Sequence, residues 1–230
     1  MIRLIVFCLI IGMTSFAQRN QLNFWNEVGL DYSISKKDYT SLSLSSRWDD
    51  YGCFKLFPEV SIGSEILNDF KFELDYRFIK NREEFGKYSN SNRWNFNLKY
   101  GFKWDRIKMN VRIRYQLGRA GSSNQNYDPD FDNAWRLKPQ ISYKKKKSKF
   151  TYSAGLETFY NPKFGPDGRQ INKLRYAIGL DYKLTRQQSV IAGFNYDQYI
   201  NAFDKSNRLI FKFGYNFGFK KLDNKINSEK

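Results

Sequence analysis

Histidine is absent from this chain of 230 residues. That excludes Ser-His-Asp and Cys-His nucleophilic catalysis, and every metal site built on imidazole. Cysteine is nearly absent: Cys8 lies in the N-terminal apolar run, so Cys53 stands alone in the rest of the chain and no intramolecular disulfide is expected there. Long apolar runs are missing as well. Leu4 to Met13 is the longest, well short of the roughly 20 residues that a membrane-spanning helix needs. No stretch carries a 3.6-residue apolar stripe, so no helix is expected beyond the N-terminal segment. Negative charge is scarce too, with 23 Asp and Glu against 39 Lys and Arg, a net charge of +16.

The N-terminus reads MIRLIVFCLIIGMTSFAQRN. Arg3 gives a positive start, an apolar run follows, and Ser15-Phe16-Ala17 ends in small residues, the pattern of a cleaved signal peptide over residues 1–17. Residues 18–219 then form one domain, and 220–230 a polar tail. A chain of this charge would ordinarily raise nucleic acid as a partner, but an export signal argues against it. Anionic lipid headgroups and lipopolysaccharide phosphates are the expected counter-charges. The run Lys144 to Lys147 fits a solvated turn beside them.

What the chain has in abundance is period-two alternation, rich in its 21 Phe, 16 Tyr and 5 Trp. Eleven segments show it: Leu22–Ile34, Tyr39–Trp48, Leu56–Ile66, Phe70–Lys80, Trp94–Trp104, Ile107–Tyr115, Ala134–Lys144, Phe150–Tyr160, Ile171–Leu184, Ser189–Tyr199 and Asn207–Phe219. Most are about twice an ordinary strand, near the 9–11 residues that a tilted strand needs to cross a bilayer. Tight turns such as Asp105-Arg106 alternate with the longer polar loops Asn81–Asn92, Arg119–Asn133 and Asn161–Gln170, the layout of an outer-membrane barrel. Single-chain bacterial barrels use even strand numbers, so 10 or 12 strands are expected. Either a partial crossing precedes Leu22, or the segment around Leu56 is not an independent strand.

The two faces of these segments differ sharply. One is apolar and aromatic, too bulky for a small interior, and lipid sets no volume limit on it. Trp94 and Trp104 bracket their segment, and Trp25, Trp48 and Trp135 sit near segment ends. All five are candidates for anchors at the membrane interface. The other face carries Glu27, Asp31, Glu59, Glu73, Asp75, Arg77, Lys99, Arg112, Arg114, Arg136, Lys138, Glu157, Arg175, Asp181 and Lys183, which a membrane barrel would turn to its lumen to pair or be hydrated. Gly63, Gly101, Gly155, Gly179 and Gly193 share that face. The expected fold is therefore an all-β, antiparallel transmembrane β-barrel of outer-membrane type. A soluble barrel or sandwich with an apolar core is the competing reading.

The segments LFPEVSIGSEILNDFKFELDYRFIKNRE (Leu56–Glu83) and LRYAIGLDYKLTRQQSVIAGFNYDQ (Leu174–Gln198) resemble the domain of unknown function 2490 family (DUF2490), outer-membrane β-barrels of Bacteroidota. The resemblance runs from about Gln21 to Phe219 and implies the cell outer membrane as location. It carries no catalytic residue, cofactor or metal. Outer-membrane barrels usually finish on an aromatic residue; here KKLDNKINSEK follows Phe217 and Phe219.

Three functional readings stay open at this level. The first is a structural or passive-transport barrel, whose inward Arg and Lys would favour anions. The second is an adhesion or scaffolding protein binding envelope components through its outer loops. The third is a histidine-free hydrolase, for which no catalytic residues stand out. Asp128, Asp130 and Asp132 could offer oxygens to Ca²⁺ but lack the full loop pattern of a dedicated site, so an ordinary acidic surface loop is the expectation. Lipid, lipopolysaccharide and the barrel-assembly machinery are the expected partners, and the expected state is monomeric.

Overall fold

The computed structural model describes residues 21–82, 86–119, 127–130, 132–164, 168–201 and 206–220. The expected signal peptide, residues 1–17, and the expected tail 220–230 apart from Lys220 lie outside these. Eleven strands follow in order: β1 (Gln21–Ser33), β2 (Asp38–Asp49), β3 (Gly52–Leu67), β4 (Phe70–Arg82), β5 (Tyr88–Trp104), β6 (Ile107–Arg119), β7 (Ala134–Tyr143), β8 (Phe150–Asn161), β9 (Gln170–Lys183), β10 (Gln188–Tyr199) and β11 (Arg208–Lys220). Each pairs with its sequence neighbour in antiparallel register, and β1 closes on β11.

The strand number departs from the expected 10 or 12. The segment around Leu56 is not weak: it belongs to β3, a strand of 16 residues. An antiparallel meander with an odd number of strands brings its first and last strands side by side pointing the same way. Closure is therefore parallel, in continuous register from Gln21 opposite Arg208 to Ser33 opposite Lys220. The seam removes both sheet edges and gives their backbone groups partners, which matters wherever water is excluded.

Strands outgrow their periodic cores on one side. β4 and β5 continue to Arg82 and from Tyr88, so most of the expected loop Asn81–Asn92 is ladder. Its Ser and Asn residues carry no apolar period, which hid them. On the opposite rim the turns are short: Asp105 enters the two-residue β5–β6 turn with φ 49°, a left-handed conformation that Asp tolerates.

Apolar side chains face outward from the barrel and polar ones inward. Outward residues such as Leu98, Ile113 and Leu137 stay 43–44% exposed. Among the described residues the buried apolar side chains are Phe57, Ile79, Pro129, Ala134, Phe159 and Ile210, whereas the buried polar ones include Asn95, Asn97, Gln116, Lys173 and Asp197. The described residues form no apolar core. Two aromatic levels mark the exterior. Near the long-loop rim, Trp94 packs on Tyr76 and Trp135 on Tyr115, with ring centroids 4.6 and 4.8 Å apart. Near the short-turn rim, Phe70 packs on Tyr100 and Phe150 on Tyr182, both at 4.6 Å.

Candidate functional site: a plugged, cationic lumen

Inward positions follow from strand parity, and the ladder brings opposite charges together. On β4, β5 and β6, Asp75 receives Arg114 at 3.0 Å and the Asn97 amide at 2.9 Å. Glu73 takes Lys99 at 2.6 Å and the Tyr39 hydroxyl at 2.7 Å. Tyr39 can lie across the wall because residue 63 is glycine: a Cβ there would stand 2.3 Å from the ring. Glu59 pairs with Arg77 at 2.5 Å, and Glu157 with Arg112 and Arg136 at 2.6 and 2.8 Å. Asp197 accepts two hydrogen bonds from Arg175, at 2.5 and 2.6 Å. Such pairs add little net stability over an apolar core, yet each is costly to break from one side, because the charge left behind is buried.

Aromatic rings also face inward, as platforms for cations. Arg136 and Lys173 lie 4.2 and 4.1 Å from the centroid of Phe159, and Arg77 lies 4.2 Å from that of Phe57. Arg47 sits over Trp25 at 3.9 Å. A desolvated cation gains most from such a ring face.

The described residues of the β6–β7 connection, 127–130 and 132–133, turn into the long-loop end of the lumen. Asp128 and Asp132 tie its base: the Asp132 backbone N–H donates to the Asp128 carbonyl at 2.8 Å, and the Asp128 N–H to the Asp132 carboxylate at 2.7 Å. This holds Asp130 inward, 3% exposed, with Lys173 at 2.6 Å and Arg208 at 3.4 Å. Arg93 donates to the Asp130 carbonyl at 2.7 Å, and Gln116 to that of Asp132 at the same distance. Burial acts to raise the Asp130 carboxyl, and Lys173, Arg175, Arg47 and Lys55 overcome it, holding the group well below the usual carboxylate range.

Below this plug, a cavity of about 250 Å³ is lined by nine Arg and Lys side chains against four carboxylates. A second, of about 480 Å³, continues toward the short-turn rim past Tyr39, Lys99 and Lys108, and shares Arg112 and Lys138 with the first. The lumen is thus narrowed at one end, with a cationic cavity beneath Asp130 and, beside it, an acidic one of about 220 Å³ lined by Asp31, Glu59, Glu73 and Asp75.

The family model described as "Protein of unknown function (DUF2490)" matches residues 22–209. The chain belongs to the DUF2490 family. A crystal structure of the NanC porin is similar in fold, at 13% sequence identity and a TM-score of 0.49, covering 86% of this chain and 97% of that one. No curated protein matches.

In this DUF2490 barrel most of the expected inward charges meet. Glu59, Glu73, Asp75, Arg77, Lys99, Arg112, Arg114, Arg136, Glu157 and Arg175 all join the pairs above. Glu27 accepts from Ser45 at 2.9 Å, and Asp31 accepts from Asn216 across the β1–β11 seam. Asp181 makes none of these pairs; it stands opposite Thr151 and Ile191. Of the five tryptophans, Trp48, Trp94, Trp104 and Trp135 point outward, 42–71% exposed. Trp25 does not. It shares the parity of Glu27 and Asp31 and lines the lumen cavity, so it is an inward platform rather than an interface anchor.

The aspartate cluster also differs from an ordinary surface loop. Its carboxylates part ways, Asp130 to Lys173 inside and Asp132 to Lys163 at 2.7 Å. Arg47, Arg93, Lys173 and Asp197 were legible by parity from Ser45, Asn95, Arg175 and Asn195, but the plug has no period that would reveal it.

Proposed function

We propose that this DUF2490 protein is an outer-membrane barrel for the passive passage of small anions, with the Asp130 loop narrowing its outer end. The apolar exterior supports the membrane half of this reading. Trp94 and Trp104 stand ten residues apart on β5, roughly 33 Å along a strand at about 3.3 Å per residue. Tilted by the usual 35–45°, that spans about 25 Å, the height of the apolar band in such barrels. The anion half rests on one observation, the excess of Arg and Lys over carboxylates around the lumen cavity. A wall of that sign concentrates anions and repels cations. The long loops would face outward among lipopolysaccharide phosphates, and the short turns the periplasm.

Purified protein in a planar bilayer under a KCl gradient tests this directly. Discrete steps with a reversal potential on the chloride side are expected. Cation-selective steps, or a silent bilayer with correctly folded protein, would sink the transport reading. An adhesion role through the Arg119–Asn133 loop loses ground, because its described residues 127–130 turn into the barrel.

A further inference from the structure

Most cations around the cavity beneath the plug have a carboxylate partner: Arg77 has Glu59, Arg112 and Arg136 share Glu157, Arg114 has Asp75, and Arg175 has Asp197. Four stand apart. Arg47, Arg93, Lys138 and Lys212 line the same cavity, and among the described residues none has a carboxylate within 4.0 Å. They come from β2, β5, β7 and β11, so the unmatched charge converges from around the wall rather than from one patch. Arg47 and Arg93 are 8% and 3% exposed.

Hydrogen-bond donors converge with the charge. The Nε–H groups of Arg47, Arg93 and Arg112 and the indole N–H of Trp25 are all buried without a protein acceptor. A buried donor without a partner is costly, and native structures leave few of them. Arg47 is further held in place by stacking 3.9 Å from the Trp25 centroid, which presents that guanidinium in one orientation. Water can satisfy these donors but not the charge; an anion with several acceptor oxygens and more than one negative charge complements both.

We propose that this cavity is a binding site for a small multivalent oxyanion of the phosphate, pyrophosphate or sulfate kind. Arg47 and the Trp25 indole N–H provide directed donors, and Lys138 and Lys212 provide charge. Guanidinium geometry suits a tetrahedral oxyanion, whereas chloride would satisfy the charge but fewer of the donors. This deepens the anion-path reading and shares with it the premise of a wet lumen, but binding does not require conduction.

Calorimetric titration of pyrophosphate into the detergent-folded full chain is the test, run beside the bilayer recording. Saturable binding of one equivalent is expected. The double variant Lys138→Gln, Lys212→Gln should weaken it about tenfold or more, as loss of charged hydrogen bonds does. Glu27→Gln removes a carboxylate from the same wall and should tighten binding, a gain that misfolding cannot mimic. Arg186→Gln, on the β9–β10 turn, should leave affinity unchanged. Absence of binding in protein that still gives anion-selective steps overturns the site and leaves the path. Binding that survives the double lysine variant overturns it too. Specific binding without conduction keeps the site and removes the path.

Discussion

Lys173 is fully buried, with Asp130 at 2.6 Å, Asp197 at 3.5 Å and the Phe159 ring 4.1 Å from its ammonium. It joins the plug to the wall, since Asp130 belongs to the β6–β7 connection and Asp197 to β10. Lys173→Met keeps the length of the side chain and removes the charge. Arg175 and Arg208 still reach Asp130, at 3.7 and 3.4 Å, so the loss should fall at or below the roughly 3–5 kcal/mol seen when a buried pair is broken from one side. Urea unfolding from lipid vesicles would measure it. Asp130→Asn and Lys173→Met should also be non-additive, because the two groups touch. Strict additivity would mean that the plug is held by something other than this pair.

At the scale of elements, the plug has a pH signature with a definite sign. Asp130 titrates well below its unfolded value of about 3.9, so its ionised form stabilises the fold. That contribution is complete above about pH 5 and is lost as pH falls through 3.9 toward the folded value. The stability gap between the native protein and Asp130→Asn should therefore hold steady from pH 7 to 5 and shrink below 4. A gap already gone at pH 6 would contradict it. The strands make a different prediction. Leu98 faces outward, 43% exposed, between the aromatic levels of β5. In water, Leu98→Arg would be nearly neutral; in a bilayer it should cost about 2–4 kcal/mol near the midplane. These strands were readable from sequence because one face is apolar and the other polar over most of their length, a pattern that only a period of two produces. Their extensions beyond Lys80 and before Trp94 were not, since polar residues above the apolar band have no face to distinguish. Trp25 escaped for another reason: its chemistry suggested an anchor, although its parity with Glu27 already turned it inward. Asp130 stands out in the sequence only as part of an acidic cluster; its inward turn leaves no trace, because a loop that folds back through space is written in no local period.

The whole molecule departs from the even-numbered plan at its seam, and the departure has a topological consequence. Strand parity alone shows eleven segments; it does not show that β1 and β11 would accept each other in parallel rather than recruit a twelfth strand. The ladder from Gln21–Arg208 to Ser33–Lys220 settles the closure. Because β1 and β11 run the same way, Gln21 opens on the rim of the long loops and Lys220 on the rim of the short turns. An even-numbered barrel would bring both ends to one rim. In a Cys53→Ser background, single cysteines at Gln21, Tyr51, Arg186 and Lys220 report this when intact cells meet a membrane-impermeant maleimide. With the long loops outside, positions 21 and 51 should label and positions 186 and 220 should stay dark until the envelope is opened. Dark positions 21 and 220 beside a labelled position 51 would require an even number of crossings and would undo the parallel seam. Labelling of 186 and 220 with 21 and 51 dark would keep the seam and reverse the barrel, placing the Asp130 plug at its periplasmic mouth.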